Sequence, residues 1–350
     1  MIYEPNAAIA MHSLRVEHSE EKTDHLGYPF TYRTLFVNLD NIYFESTLVR
    51  SQSQPTGERR RAVLYLHGYT DYFFQSSLAT SWNSKDWAFY ALDLQGYGRS
   101  IRPDQSENIS QSLSVYHYDL LAALTTIKND GYEECVILAH STGGLVASRF
   151  LQWIDSLKQD DIEAQADSKR LISLPKISGL ILNSPFLAMP FSPKRNKVIT
   201  PIIEFLTHSL PFISTHNNKV NTYSKTLHKR HDGEWDYRLD WKPDIGSPLS
   251  FSWLNTVIRS QKALALNGQI STPVLMCHSD KTTRSKKSAI ELSRGDGVLD
   301  IESMLAAANR VYQNIETTEI AGGYHDLYLS PKPIRDKYID CISRWLDQLP

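Results

Sequence analysis

The chain has 350 residues, with 37 Lys and Arg against 39 Asp and Glu, a formal net charge of −2, and 41% hydrophobic against 22% charged residues. That balance lies far from the low-hydrophobicity, high-charge corner where chains stay disordered, and excludes a chain too polar to build a core. With a pI near 6.6 and no basic run beyond Arg59, Arg60 and Arg61, neither nucleic acid nor an anionic membrane is an expected partner.

The elements follow from hydrophobic runs and the turn residues that bound them. Tyr32 to Asn38 and Glu45 to Gln52 alternate as a hairpin-like pair joined by a polar stretch from Leu39 to Phe44. Ala62 to Leu66 and Trp87 to Leu92 are continuous apolar runs, the signature of strands buried on both faces, Cys135 to Ala139 is a third buried strand, and Ile177 to Leu182 and Pro273 to Cys277 read as strands. Between them Tyr116 to Lys128 and Gly143 to Leu157 carry helical spacing. A helix from Met304 to Tyr312, a strand from Ile315 to Ile320 and a helix from Pro333 to Leu349 close the chain. Strands alternating with helices predict an α/β fold, a mostly parallel central sheet with helices on both faces and an antiparallel start.

From Ala188 to Asn255 the rhythm breaks into Pro-rich and aromatic-rich pieces, with Pro190, Pro193, Pro201, Trp235, Tyr237, Trp241 and Trp253 among them. A stretch this long between strands reads as a functional cap. The expected division is a first core part at 1–187, a cap at 188–264 and a second core part at 265–350.

Cys135, Cys277 and Cys341 are too few and scattered for a disulfide scaffold or a paired-thiol zinc site, and read as reduced, mostly buried thiols. The first twenty residues show no basic leader followed by an apolar stretch, and no apolar run approaches the roughly 18 residues of a membrane span. The expectation is a cytoplasmic protein without stable membrane insertion; nothing in the pattern sets an oligomeric state.

The chemistry centres on Ala139-His140-Ser141-Thr142-Gly143, where a buried strand runs into a serine flanked by small residues and then a helix. A nucleophile on so tight a turn needs small side chains two residues before and after it, and Ala139 and Gly143 supply them. His67-Gly68-Tyr69 ends the first buried strand, so the backbone N–H groups of Tyr69 and Thr142 are the expected oxyanion donors. Of twelve histidines, His325 sits on a glycine-loosened loop after the last strand and is the expected general base. His140 is expected to point away and His67 to pack beneath the oxyanion turn. His228, His231 and Asp232 have metal-like spacing without a third ligand and read as a solvated stretch.

The carboxylate that orients the imidazole is a choice between Asp280 and Asp296, both after the strand Pro273 to Cys277. Asp280 has proximity in its favour. Asp296 lies directly before the returning helix, which makes Ser279 to Arg294 a looped-out insertion, and it is the favoured acid.

These residues resemble the α/β-hydrolase superfamily, in particular the group of serine aminopeptidase S33 domains, monoacylglycerol lipases and lysophospholipases, over most of residues 30 to 349. Asp93-Leu94-Gln95-Gly96-Tyr97-Gly98-Arg99-Ser100 resembles that group's D-x-x-G-x-G-x-S turn. The resemblance implies an acid about thirty residues before the histidine, which Asp296 meets. It also implies a serine hydrolase acting on a small-molecule ester, and the aromatic residues of the cap, expected to line a largely apolar pocket over Ser141, favour an apolar acyl group. The triad is then Ser141, His325 and Asp296, with no cofactor or metal required. Aminopeptidase or amidase action, and a non-catalytic hydrolase-fold binding protein, are the alternatives.

Overall fold

Strands that are apolar on both faces have no side to offer water, and the fold buries them at the centre of one sheet. The computed structural model describes residues 15–39, 42–52, 60–102, 112–160, 174–211, 213–215, 219–286 and 288–349. Its first half contains β1 (Arg15–His18), β2 (Lys22–Thr23), β3 (Phe30–Leu39), β4 (Ile42–Ser51), β5 (Arg61–Leu66), α1 (Ser76–Asn83), β6 (Ala88–Asp93), α2 (Tyr116–Asn129), β7 (Glu134–His140) and α3 (Thr142–Asp160). The second half contains β8 (Lys176–Asn183), α4 (Pro193–Ser209), β9 (Ser214–Thr215), α5 (Thr222–Leu227), β10 (Leu249–Ser250), α6 (Phe251–Leu266), β11 (Val274–Ser279), α7 (Ala289–Leu292), α8 (Ile301–Val311), β12 (Ile315–Ile320) and α9 (Lys332–Leu346).

The main sheet runs β1-β3-β4-β6-β5-β7-β8-β11-β12, with β2 on β3, while β9 and β10 form a separate pair. Pairing is antiparallel from β1 to β6 and parallel from β6 to β12. Alternate residues of each parallel strand feed opposite cores. Leu64 and Ile137 pack with α2, α3, α6 and α8, whereas Val63 and Val136 pack with α1 and α9 around Trp82, Tyr338 and Trp345. Burial on both faces is what makes these strands read as unbroken apolar runs. Among the described residues no helix is long and apolar enough to cross a membrane.

The structure departs from the sequence reading at several places. The expected polar connection from Leu39 to Phe44 is mostly strand, since β3 runs to Leu39 and β4 begins at Ile42; the two residues between them lie outside the described set. β1, β2 and α1 were not expected, being short and polar or weakly periodic. The helix expected from Met304 starts at Ile301, capped by Asp300, whose Oδ1 accepts the Ser303 N–H at 2.9 Å.

The irregular-looking stretch between β8 and β11 contains two long helices. Pro193 occupies the first turn of α4, where its missing N–H costs nothing, and Pro201 sits mid-helix on the exposed side. α4 packs on α6, and both pack on α8.

Candidate active site

The carboxyl ends of β5, β7, β11 and β12 converge on one edge of the sheet. β7 ends at His140, α3 begins at Thr142, and Ser141 between them adopts φ +51°. A left-handed serine costs roughly 1–3 kcal/mol and persists only where its surroundings hold it. Here the Ser141 N–H donates to the Asn183 carbonyl at 3.0 Å, and the Ser141 carbonyl accepts from Gly144 at 3.0 Å and Phe186 at 2.9 Å. Gly143 passes so close to β5 that a Cβ there would stand 2.3 Å from the His67 carbonyl oxygen and 2.9 Å from that of Leu66.

The Ser141 hydroxyl is 2.9 Å from His325 Nε2, and His325 Nδ1 is 3.0 Å from Asp296 Oδ2. All three side chains are buried. The other Asp296 oxygen accepts the N–H groups of Val298 and Leu299, each at 2.8 Å. Burial works to raise the Asp296 pKa, but the His325 charge and hydrogen bond together with these N–H donors outweigh it, so the carboxyl stays below its ordinary range. A hydroxyl bonded to an imidazole that a buried carboxylate orients can lose its proton as it attacks.

Asp296 reaches this position because the chain after β11 folds back on itself. Asp296 N–H donates to the Lys281 carbonyl at 2.8 Å, and the Asp296 carbonyl accepts from Thr283 at 2.7 Å. The residues between them loop out, with the short α7 packing against α5. Asp280 points away from the imidazole, and its Oδ1 accepts the Gly322 N–H at 2.8 Å, supporting a turn where Gly322 has φ +74°.

Thr142 is the first residue of α3, so its N–H has no intrahelical acceptor and lies at the positive end of the helix dipole. Tyr69 follows Gly68, where a Cβ would meet the Ser141 Cβ at 3.2 Å. Neither the Tyr69 nor the Thr142 N–H has a hydrogen-bond acceptor among the described residues. The next residue, Thr70, is also left-handed at φ +51°.

His67 is buried as expected, with Nδ1 donating to the Gly68 carbonyl at 2.7 Å and Nε2 accepting the Leu94 N–H at 3.1 Å. This is the neutral ring, and burial lowers its pKa accordingly. His140 corrects the expectation that it points away. Its buried ring centroid lies 4.9 Å from that of His325, and its Nδ1 donates to the Asn183 carbonyl at 3.1 Å. His228 corrects another: it is buried, not solvated, with Nε2 donating to the Tyr237 carbonyl at 3.0 Å. His231 pairs with Asp244 at 2.8 Å, so the two histidines have separate structural partners.

A polar cluster beside His325 was missed by sequence reasoning. Asp71, His140 and Asp326 bring potential ligand atoms within 4.8 Å of one another. Lys242, from the segment between α5 and β10, pairs with Asp71 at 2.5 Å, and Asn183 Nδ2 donates to Asp326 at 2.8 Å. The Lys242 ammonium already supplies the positive charge such a cluster calls for. Asp71 follows the His67-Gly68 turn and Asp326 follows His325, so adjacency could have flagged both; nothing local marks Lys242.

The segment between β8 and β11 touches the site in a few places. The Tyr69 and Trp253 rings lie 4.0 Å apart, the Tyr69 hydroxyl donates to Pro248, and the Tyr223 hydroxyl accepts the Asp326 N–H at 3.0 Å. Trp235, Tyr237 and Trp241 instead pack around Tyr72 and Phe74, forming a core of their own.

A mixed sheet, parallel from β6 to β12 and sheathed by helices, with its serine on a strained strand-to-helix turn, defines the protein as an α/β hydrolase. The chain belongs to the serine aminopeptidase S33 hydrolase family, whose model matches residues 57–332. The fold is similar to a soluble variant of monoglyceride lipase from Saccharomyces cerevisiae, solved with a substrate analog, at a TM-score of 0.59 and 16% identity over 89% of this chain and 93% of that one. It is also similar to the monoacylglycerol lipase of Paleococcus ferrophilus, at a TM-score of 0.53 and 19% identity over 83% of this chain and 95% of that one. Among curated sequences, epoxide hydrolase 1 of Caenorhabditis elegans is 27% identical over 115 residues, covering 32% of this chain and 27% of that protein. Epoxide hydrolase 4 of Mus musculus is 32% identical over 92 residues, covering 26% of this chain and 24% of that protein. The chain thus matches about a quarter of the length of these curated relatives.

Proposed function

We propose that the protein hydrolyses carboxylic esters of small molecules through an acyl-enzyme on Ser141. The observation that carries this reading is the unbroken chain from the Ser141 hydroxyl through His325, at 2.9 Å, to the buried Asp296, at 3.0 Å. Ser141 attacks the ester carbonyl while His325 Nε2 takes its proton. Asp296 holds the Nδ1–H tautomer and stabilises the imidazolium. The developing oxyanion accepts from the N–H groups of Tyr69 and Thr142, and losing one such donor typically costs about 10²–10³ in rate. His325 then returns the proton to the leaving alcohol, and water activated by the same imidazole releases the acid. Nucleophile, base and oxyanion donors are all protein groups, so these steps call on no metal or organic cofactor.

Residues 188–264 act as the cap, with Tyr69 and Trp253 supplying apolar surface near the nucleophile. This favours an apolar acyl group, as in the monoacylglycerol lipase and lysophospholipase class. An aminopeptidase would need free acidic groups for a substrate's amino end. Glu234, Asp236 and Asp240 are instead ion-paired to Arg335, Lys229 and Arg238.

The test is hydrolysis of a short and a long p-nitrophenyl ester, with an aminoacyl p-nitroanilide alongside, by the unmodified protein and by Ser141→Ala. Ester turnover that disappears with Ser141 supports the proposal. Turnover of the anilide alone, or ester turnover that survives Ser141→Ala, overturns it.

A further inference from the structure

Two adjoining cavities of about 360 and 380 Å³ open between α2, α3 and α6, and they share Ser114, His117, Arg149 and Asn267 in their walls. Neither is lined by Ser141, His325 or Asp296, so the cleft is separate from the triad. Each volume lies within the range of roughly 300–1,000 Å³ typical of small-molecule sites.

The walls are rich in donors. Arg149, Arg259 and Lys262 line them, and Glu204, the one acid in the walls among the described residues, is paired with Lys262. Arg259 is half-buried and has no ion pair among the described residues. A guanidinium that has given up part of its water without a carboxylate in return suits an anion. Arg149 is set in place before any ligand arrives. Its Nη1 donates to Gln152 Oε1 at 2.6 Å, and Gln152 Nε2 donates to the carbonyls of Leu264 and Gly268, at and just beyond the end of α6, at 2.9 and 2.7 Å.

His117 is an independent sign of a ligand. It is only 5% exposed, its ring stacks on Trp153 at 5.4 Å, and its Nε2 is buried without a hydrogen-bond partner. Buried polar atoms are nearly always matched, and one that is not calls for a group that completes the set. Burial, and after it the Arg149 charge, brings the His117 pKa down to about 3, so the ring is neutral and free to carry its proton on Nε2 toward an anionic oxygen.

We infer that this cleft binds a soluble phosphate monoester. The phosphoryl group is held by Arg149, Arg259 and the His117 Nε2–H, and the organic part occupies the second cavity, where Tyr118 and Trp153 form the wall. A phosphoryl group offers three strong acceptor oxygens to a wall made of donors, one more than a carboxylate. Inorganic phosphate leaves most of the space empty, whereas an aromatic wall suits a flat apolar body. The site joins the core helices α2 and α3 to α6, and it stands apart from the ester-hydrolase reading.

The experiment is isothermal titration calorimetry of the full chain at constant ionic strength, with phenyl phosphate, inorganic phosphate and benzoate. The parent is compared with Arg259→Gln and His117→Phe, and thermal melting is run on every variant. Phenyl phosphate should bind at least about tenfold more tightly than inorganic phosphate or benzoate, and Arg259→Gln should weaken it at least about tenfold through the loss of one charge-assisted hydrogen bond. His117→Phe replaces the unmatched nitrogen with an apolar ring, so it should melt no lower than the parent while binding phenyl phosphate several-fold more weakly. No heat from phenyl phosphate at millimolar concentration overturns the inference, as does binding that both folded variants keep in full. Inorganic phosphate bound as tightly as the ester assigns the cleft to the free ion, benzoate bound as tightly assigns it to anions in general, and either result overturns the inference equally.

Discussion

The Asp280 carboxylate accepts the Gly322 N–H at 2.8 Å, three residues before the histidine that Asp296 holds. The two acids both follow β11, and proximity in sequence favours the one that does not touch the imidazole. Asp296→Asn removes the charge that stabilises the imidazolium and lets the ring adopt the wrong tautomer, a change expected to lower kcat/KM by roughly 10³–10⁴. Asp280→Asn keeps an oxygen able to accept the Gly322 N–H, and its kcat/KM should stay within about tenfold of the parent. Steady-state kinetics on one ester settles the comparison; equal losses in the two variants would return Asp280 to the site.

Gly143 meets a different constraint. Its α-carbon faces the carbonyl oxygens of His67 and Leu66, and a methyl at 2.3 Å from one of them cannot be absorbed by a rotamer change, because the obstacle is backbone. Gly143→Ala should force α3 away from β5 and displace Ser141 from His325. We expect at least about 2 kcal/mol of lost stability and a larger proportional loss of ester turnover than the melting shift explains. A variant that melts and turns over like the parent would show that the turn can open without cost.

What the sequence shows and what it hides both follow from how local each signal is. The parallel strands were legible because burial on both faces writes an unbroken apolar run, and the Ser141 turn because its crowding demands Gly143 within two residues. His325 was legible from its glycine-rich loop, and Asp296 from the helix that follows it. The meeting of Asp71, His140, Asp326 and Lys242 was not, because Lys242 reaches Asp71 across 171 residues and each looks ordinary in its own neighbourhood. Likewise α4 was hidden by Pro193 and Pro201: one is a normal first-turn residue and the other is tolerated on an exposed face, yet both read as breakers. α4 exposes Val198, Ile202, Phe205 and Leu206 and buries Thr207, which inverts the usual pattern, so hydrophobic periodicity alone gives no sign of which face is outward.

Arg99 ties the turn after β6 to the amino-terminal strands. Its guanidinium donates to Asp24 at 2.6 and 2.9 Å and to Asp93 at 2.7 Å, with Asp24 and Asp93 both buried. Burial works to raise the Asp24 pKa, but the Arg99 hydrogen bonds and charge prevail and hold it well below the usual carboxylate range. A depressed native pKa gives stability that is present above the unfolded value near 3.9 and is lost as pH falls through the native one. Arg99→Met leaves the buried Asp93 without its guanidinium and Asp24 with only His25, at 3.2 Å, and should cost about 3–5 kcal/mol at pH 7. Denaturant unfolding at pH 7, pH 4 and pH 2.5 checks it: the Asp24 contribution to the parent should be nearly intact at pH 4 and fall by pH 2.5, whereas the variant, lacking the guanidinium that depresses Asp24, should show less of that loss.

Asp119 works in the opposite sense. It lies on α2 fully buried, and its Oδ2 accepts the Gln95 N–H at 3.0 Å. Burial pushes its pKa up to about 7 against the pull of the Gln95 hydrogen bonds. The native state therefore binds a proton that the unfolded chain releases near pH 4, and stability from this group falls as pH rises from about 4 to about 7 and is level above that. The ceiling on the effect is about 4 kcal/mol, at about 1.4 kcal/mol per pKa unit, and relaxation of the site brings it lower. Asp119→Asn keeps an oxygen for the Gln95 N–H and removes the charge, so it should be more stable than the parent at pH 8 and close to it at pH 5. Parallel unfolding curves at the two pH values decide the matter, because a variant whose stability tracks the parent's at both would mean that Asp119 is already ionised in the fold at neutral pH without penalty.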